Sequence, residues 1–223
     1  MNRSFLTRED SVRALTKMKY FHRDLEQIMN RHKFNLLENL GRRNILLSQA
    51  QEKFFAESLA ERFDVRNDGR TGEPDIVIET LGLELECKLT SPQKKGAISF
   101  QTDYETLEKK GSLDYLYVVA DKEFKKFAVI HYESLTIEDF RPLSNGSRGK
   151  TQLMKHRAQD RANVLVGSMN SINQRELKKL YGRLETASTE KKQEKIRKSI
   201  AYWQTTPEKF QIELEDINES TSR

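Results

Sequence analysis

The spacing of apolar residues along this 223-residue chain changes several times, and each change predicts an element. Val12, Leu15, Phe21, Leu25, Ile28 and Met29 fall near one stripe at helical spacing, so residues 7–39 read as helical, with Gly41 ending that region. Ser48-Gln-Ala-Gln51 has the form of a capping box, and the helix it opens carries Phe55, Leu59 and Phe63 at four-residue intervals. The period then shortens. Leu83, Leu85, Cys87 and Leu89 alternate with Glu84, Glu86 and Lys88, as in a strand with two unlike faces. Just before it, Ile76, Val77 and Ile78 form a β-branched run behind Pro74, and Gly82 supplies the backbone freedom for a reversal, so the two strands are expected to pair antiparallel. Asp68-Gly69 is turn chemistry that can close a hairpin with residues 64–66. Further along, a helix at 102–110 stopped by Gly111 is expected, then strands at 115–120 and 127–131. Helices at 173–187 and 190–203, a short strand at 210–214 and a frayed end at 219–223 complete the pattern.

The hairpin matters most because of its charges. With a turn near Leu81, Asp75 falls opposite Glu86 or Lys88 to within one residue, so two carboxylates and an ammonium converge. Crowded carboxylates repel, and hard oxygen donors of this kind collect Mg²⁺, which needs only one or two of them beside water and substrate phosphate. An ammonium nearby can orient water and offset charge on a phosphoryl group. The unremarkable alternative is a solvated hairpin face.

Pro74-Asp75 followed by Glu86-Cys87-Lys88 resembles the PD-(D/E)xK nuclease superfamily, and in a chain of this size it is most similar to a type II restriction endonuclease. The resemblance spans about residues 48–132, where helix, strands, helix and strand follow the αβββαβ order of the family core. It implies an α/β fold with a restriction-endonuclease-like core, a mixed central sheet flanked by helices, and added N- and C-terminal helices. It also implies sequence-specific hydrolysis of double-stranded DNA with Mg²⁺ by a homodimer. Asp75 and Glu86 would be the metal ligands and Lys88 would place or activate the attacking water. Many members bring a helix glutamate to the same site, which makes Glu52 the candidate, with Glu57 and Glu61 behind it. A Holliday-junction resolvase or a nicking repair nuclease would share the core, and a non-catalytic DNA-binding module is the alternative outside the enzymes.

Composition narrows the rest. The length and the 36% hydrophobic content fit a single nuclease domain, read as a catalytic core at 47–133, a helical part at 1–46 and a basic, mainly helical part at 134–223. The net charge is +5 and the pI about 9.1, but the distribution says more: residues 148–198 hold 14 Lys/Arg against 5 Asp/Glu, leaving the remainder net negative. Within that stretch, the turn at 145–149 leads into a segment whose Arg148, Lys150, Gln152, Lys155 and Arg157 suit base or phosphate contacts. Lys94 and Lys95, in the polar loop leaving the motif strand, are the competing location. The lone Cys87 excludes an intrachain disulfide and reads as a small buried hydrophobe, and the four histidines show no metal spacing. No apolar run is long enough to span a membrane and none near residues 1–4 resembles a signal peptide, so the expected location is the cytoplasm.

Overall fold

Helix α1 (Arg8–Arg31) starts at a capping box: Thr7 Oγ1 accepts the Asp10 amide at 3.2 Å, and the Thr7 amide donates to Asp10 Oδ2 at 2.9 Å. The computed structural model describes residues 5–67, 73–93, 96–206 and 209–217. Helix α1 covers the apolar stripe, which ends at Met29, but is shorter than the 7–39 expected. It stops in a Schellman motif, with Lys33 left-handed (φ 62°), the Lys33 amide on the Asn30 carbonyl at 3.0 Å and the Phe34 amide on Met29 at 2.9 Å. Gly41 therefore ends nothing: it lies in the first turn of α2 (Leu40–Leu59), whose N-cap is Asn39. Ser48 and Gln51 are likewise inside α2, not at its start, and the Ser48 hydroxyl donates back to the Ile45 carbonyl at 2.9 Å.

The main sheet is mixed. Its strands are β1 (Val65–Arg66), β2 (Ile76–Ile78), β3 (Leu83–Thr90), β5 (Ser112–Ala120), β6 (Lys126–Thr136), β8 (Asn163–Val166) and β11 (Glu215–Asp216). Between these in the chain come β4 (Gln101–Asp103) with α3 (Tyr104–Lys110), and β7 (Lys150–Gln152) with α4 (Lys155–Asp160). The spatial order is β1-β2-β3-β5-β6-β11, with β8 also paired to β6. Strands β1, β2 and β3 run antiparallel in succession, β3 and β5 run parallel, and β5 and β6 are antiparallel. The chain is thus an α/β protein with a mixed central sheet flanked by helices. Among the described residues no helix is long and apolar enough to cross a membrane.

Both faces of the sheet are covered, by different chemistry. On one face Leu15, Met18, Leu47, Phe55 and Leu59 from α1 and α2 pack with Leu85, Cys87, Leu116 and Val118, all buried. On the other, the rings of Phe100, Tyr115, Tyr117, Tyr132 and Phe140 meet mostly edge to face at 4.9–5.9 Å. Residues 168–213 form a separate compact unit. There β9 (Ser168–Ser171) pairs with β10 (Phe210–Glu213), and α5 (Ile172–Glu185) packs beside α6 (Glu190–Thr205). Asn173 Nδ2 ties the two helices by donating to the Thr206 carbonyl at 2.9 Å.

A buried guanidinium and a buried imidazole meet near the turn between β5 and β6. Arg43, fully buried, donates to the carbonyls of Asp121 (2.9 Å) and Lys122 (2.6 Å) and to Ser91 Oγ (2.7 Å). His22 is 4% exposed and stacks on Phe124 with ring centroids 4.7 Å apart. Burial, then the Arg43 charge, push the His22 pKa down from 6.5 to about 4. The unfolded chain takes up this proton near pH 6.5 and the folded chain only near pH 4, so the contribution to stability is intact above the first value and lost between the two. Relative to wild type, His22→Phe should therefore lose less stability between neutral pH and about pH 4.5, by about 2 kcal/mol after allowing for solvent screening. Urea unfolding at the two pH values checks this, and an identical loss in both proteins would refute it.

Candidate active site

Strands β2 and β3 pair with Ile76 opposite Leu85 and Ile78 opposite Leu83, and extending that register by one residue sets Asp75 opposite Glu86. A turn of 3-10 helix over Glu79–Leu81 and a left-handed Gly82 (φ 62°) make the reversal. Asp75 Oδ2 accepts the Cys87 amide at 2.7 Å, which holds the carboxylate beside the backbone between Glu86 and Lys88. Glu86 Oε1 and Lys88 Nζ, two residues apart on the same strand face, form an ion pair; their side chains are 13% and 32% exposed. The alternation read from the sequence is present, with Leu85 and Cys87 buried, yet the charged face is itself half-buried. Cys87 has its thiol pKa raised by burial and by the surrounding carboxylates, which makes it a poor nucleophile.

Glu52 on α2 joins the group electrostatically. Burial and then the Asp75 charge push its pKa up from 4.5 to about 7, against Lys88. Asp75 is pushed up from 3.8 to about 6 by burial and then by Glu86, against Lys88 and the Cys87 amide. Burial acts to lower the Lys88 pKa, but Glu86 and Asp75 outweigh it and raise it, so Lys88 is an ammonium. The other two glutamates, Glu57 on α2 and Glu61 in the turn just past its end, are engaged elsewhere. Glu57 lies 2.9 Å from Lys17, and Glu61 lies 3.2 Å from Arg13. Glu84, on the same face as Glu86, binds Lys110 at 3.0 Å.

Among the described residues no three His, Cys, Asp or Glu side chains are grouped closely enough to hold a metal ion by themselves. The donor set nevertheless fits Mg²⁺, which takes one or two protein carboxylates and completes its shell with water and substrate phosphate. Two carboxyls with raised pKa beside a third mark negative charge that Lys88 alone leaves partly uncompensated.

Several residues of this neighbourhood escaped the sequence reading. Gln51, buried next to Glu52, donates to the Leu116 carbonyl at 3.3 Å, and its Oε1 has no hydrogen-bond partner among the described residues. Tyr115 lies beside Glu86 and Tyr117 beside Lys88 in the β3–β5 register. Their hydroxyls reach β4: Tyr115 to Thr102 Oγ1 at 2.8 Å and Tyr117 to the Gln101 carbonyl at 2.9 Å. The signal available was two tyrosines at strand spacing.

The expected DNA-contacting residues scatter. Lys94 and Lys95 lie outside the described residues, as does the Asp68-Gly69 turn. Lys150 shares with Lys88, Ser99, Gln101 and Asp103 the lining of a cavity of about 240 Å³. Gln152 donates to Ser99 Oγ at 3.2 Å. Arg148 is exposed in a left-handed turn position (φ 52°), and Lys155 is exposed at the start of α4. Arg157 Nε lies 3.5 Å from the buried Asp139.

No protein-family model matches the chain, and neither a curated protein nor a solved structure matches it.

The raised carboxyls also bear on stability. A carboxyl whose folded pKa exceeds its unfolded value favours the fold at low pH, and this contribution is lost as pH rises through about 7 for Glu52. In the presence of a chelator, Glu52→Gln should therefore stabilise the protein at about pH 8 by about 1–2 kcal/mol, discounted for screening, and leave it unchanged near pH 4. Chemical unfolding at the two pH values measures the difference. Destabilisation at the higher pH would show that the carboxylate is not under electrostatic stress.

Proposed function

We propose that the chain is a Mg²⁺-dependent endodeoxyribonuclease of the PD-(D/E)xK type, cleaving double-stranded DNA at specific sequences as type II restriction enzymes do. The observation that carries this reading is the convergence of Asp75, Glu86 and Lys88 on one hairpin face, with Glu52 arriving from the preceding helix. With β4 set aside, since it lies outside the main sheet, the succession α2, β1, β2, β3, α3, β5 follows an αβββαβ order and supports it.

Asp75 and Glu86 are the residues that would hold the cation, and the charge of Glu52 on α2 adds to the field there. When bound, Mg²⁺ supplies Lewis-acid stabilisation of a phosphoryl oxygen and acidifies water. Lys88 does the remaining work of the chain. Its ammonium, fixed by Glu86, donates to the attacking water or to a phosphate oxygen and offsets the charge that grows there as the P–O bond breaks. The Cys87 amide keeps Asp75 aimed across the hairpin. The reading includes a homodimer acting on a two-fold DNA site.

Incubating a supercoiled plasmid with the protein and Mg²⁺ tests this directly. Discrete bands that vanish on chelation are expected; cutting confined to four-way junctions would instead indicate a resolvase, and salt-sensitive binding without cutting would reduce the chain to a binding module. Asp75→Ala, Glu86→Ala and Lys88→Ala should each lower cleavage by about a hundredfold or more while DNA binding persists, since these groups act on the transition state more than on docking. Glu84→Ala should cost less than about tenfold, because Lys110 already holds that carboxylate. Full activity in Asp75→Ala or Glu86→Ala would overturn the assignment.

A further inference from the structure

Strands β4 and β7 form a two-stranded antiparallel ribbon outside the main sheet, pairing Gln101 with Gln152, Thr102 with Thr151 and Asp103 with Lys150. Alternation along each strand divides it into two sides. The inner side is locked: Thr102 and Thr151 are buried, Thr102 bonded to the Tyr115 hydroxyl and Thr151 to the Arg141 carbonyl. The outer side presents two amides, a carboxylate and an ammonium, with Gln101, Asp103 and Lys150 exposed and Gln152 half-buried.

Two of these four are occupied within the protein. Asp103 Oδ1 caps α3 by accepting the Thr106 amide at 3.1 Å, and Gln152 donates to Ser99. The side chains of Gln101 and Lys150 have no hydrogen bond or ion pair among the described residues, and both line the 240 Å³ cavity that Lys88 also lines.

We infer that the ribbon enters the major groove of double-stranded DNA and reads base edges next to the reacting phosphate, with Gln101 and Lys150 as the reading residues. The inference rests on the DNA-cleaving reading above. The major groove admits a two-stranded β-ribbon; glutamine can bond adenine N6 and N7 together, and lysine can bond guanine O6 and N7. Reading demands side chains held by a rigid base, and the ribbon has one: two tyrosine hydroxyls anchor it to β5 immediately beside Glu86 and Lys88. Since Lys88 and Lys150 line one cavity, a base read there adjoins the phosphate that Lys88 approaches. Arg157, by contrast, has its guanidinium beside Asp139.

The test is selection of bound duplexes from a random-sequence library without divalent metal, using wild type, Gln101→Ala, Gln101→Glu and Lys150→Ala, alongside plasmid cleavage with Mg²⁺. Both side chains are exposed and unbonded, so the replacements leave the fold intact, which equal melting temperatures verify. Wild type is expected to enrich a motif. Gln101→Ala should relax its preference at an A·T position, and Lys150→Ala at a G·C position, each by roughly five- to a hundredfold. Gln101→Glu should shift its position toward cytosine, whose N4 amine donates to a carboxylate. The same motif in all four pools, no enrichment by wild type, or a Lys150→Ala loss uniform across sequences would overturn the inference. If wild type enriches a motif that these variants relax, yet cuts no plasmid, the ribbon stands as a reader and the nuclease reading falls.

Discussion

The hydrogen bond from the Cys87 amide to Asp75 Oδ2 closes the hairpin at the point where its like charges meet, and the geometry of the site depends on that closure. Charge alone would push Asp75 and Glu86 apart, while the register fixed by the buried Ile76–Leu85 pair and by Ile78 against the partly buried Leu83 holds them opposite. Slipping that register by one residue would turn Leu85 and Cys87 outward, so the apolar face enforces the crowding on the polar one. The cluster is thus a local concentration of unfavourable electrostatics, maintained by packing between the sheet and α1 and α2.

How far this was legible from the sequence follows from element length. Strand β3 is eight residues long and alternates throughout, so its faces and the partnership of Asp75 with Glu86 could be read. Glu52 could be nominated only through resemblance, because nothing in the sequence pattern separates a glutamate that turns toward the β2–β3 hairpin from Glu57 or Glu61, which face lysine and arginine. The start of α2 was misplaced because a serine inside a helix can bond its own preceding turn as readily as cap a new one. Three-residue strands carry no periodicity. The pairing of β4 with β7, which sets Gln101 beside Gln152 and Asp103 beside Lys150, could therefore not be read from either segment alone.

Arg43 shows how the site is kept in place from behind. A fully buried guanidinium is costly unless its donors are met, and here the partners come from three separated segments: Asn44 on its own helix, the carbonyls of Asp121 and Lys122, and Ser91 just past β3. One side chain therefore fixes the far end of β3 to the turn between β5 and β6. Its planar fork suits this task, and a lysine at the same place would satisfy fewer of these acceptors.

The pairing of β9 with β10 has a consequence for chain entropy. Residues 168–213 leave the main fold after Gly167 and return at Leu214, and the ladder places Ser168 directly opposite Glu213. The main fold therefore sees this whole segment as a loop whose two ends already touch. An unstructured loop costs about 0.6 kcal/mol more to close with every doubling of its length. A segment closed by its own ladder removes that dependence, so β8 and β11 can both reach β6 whatever lengthening or shortening occurs beyond the ladder.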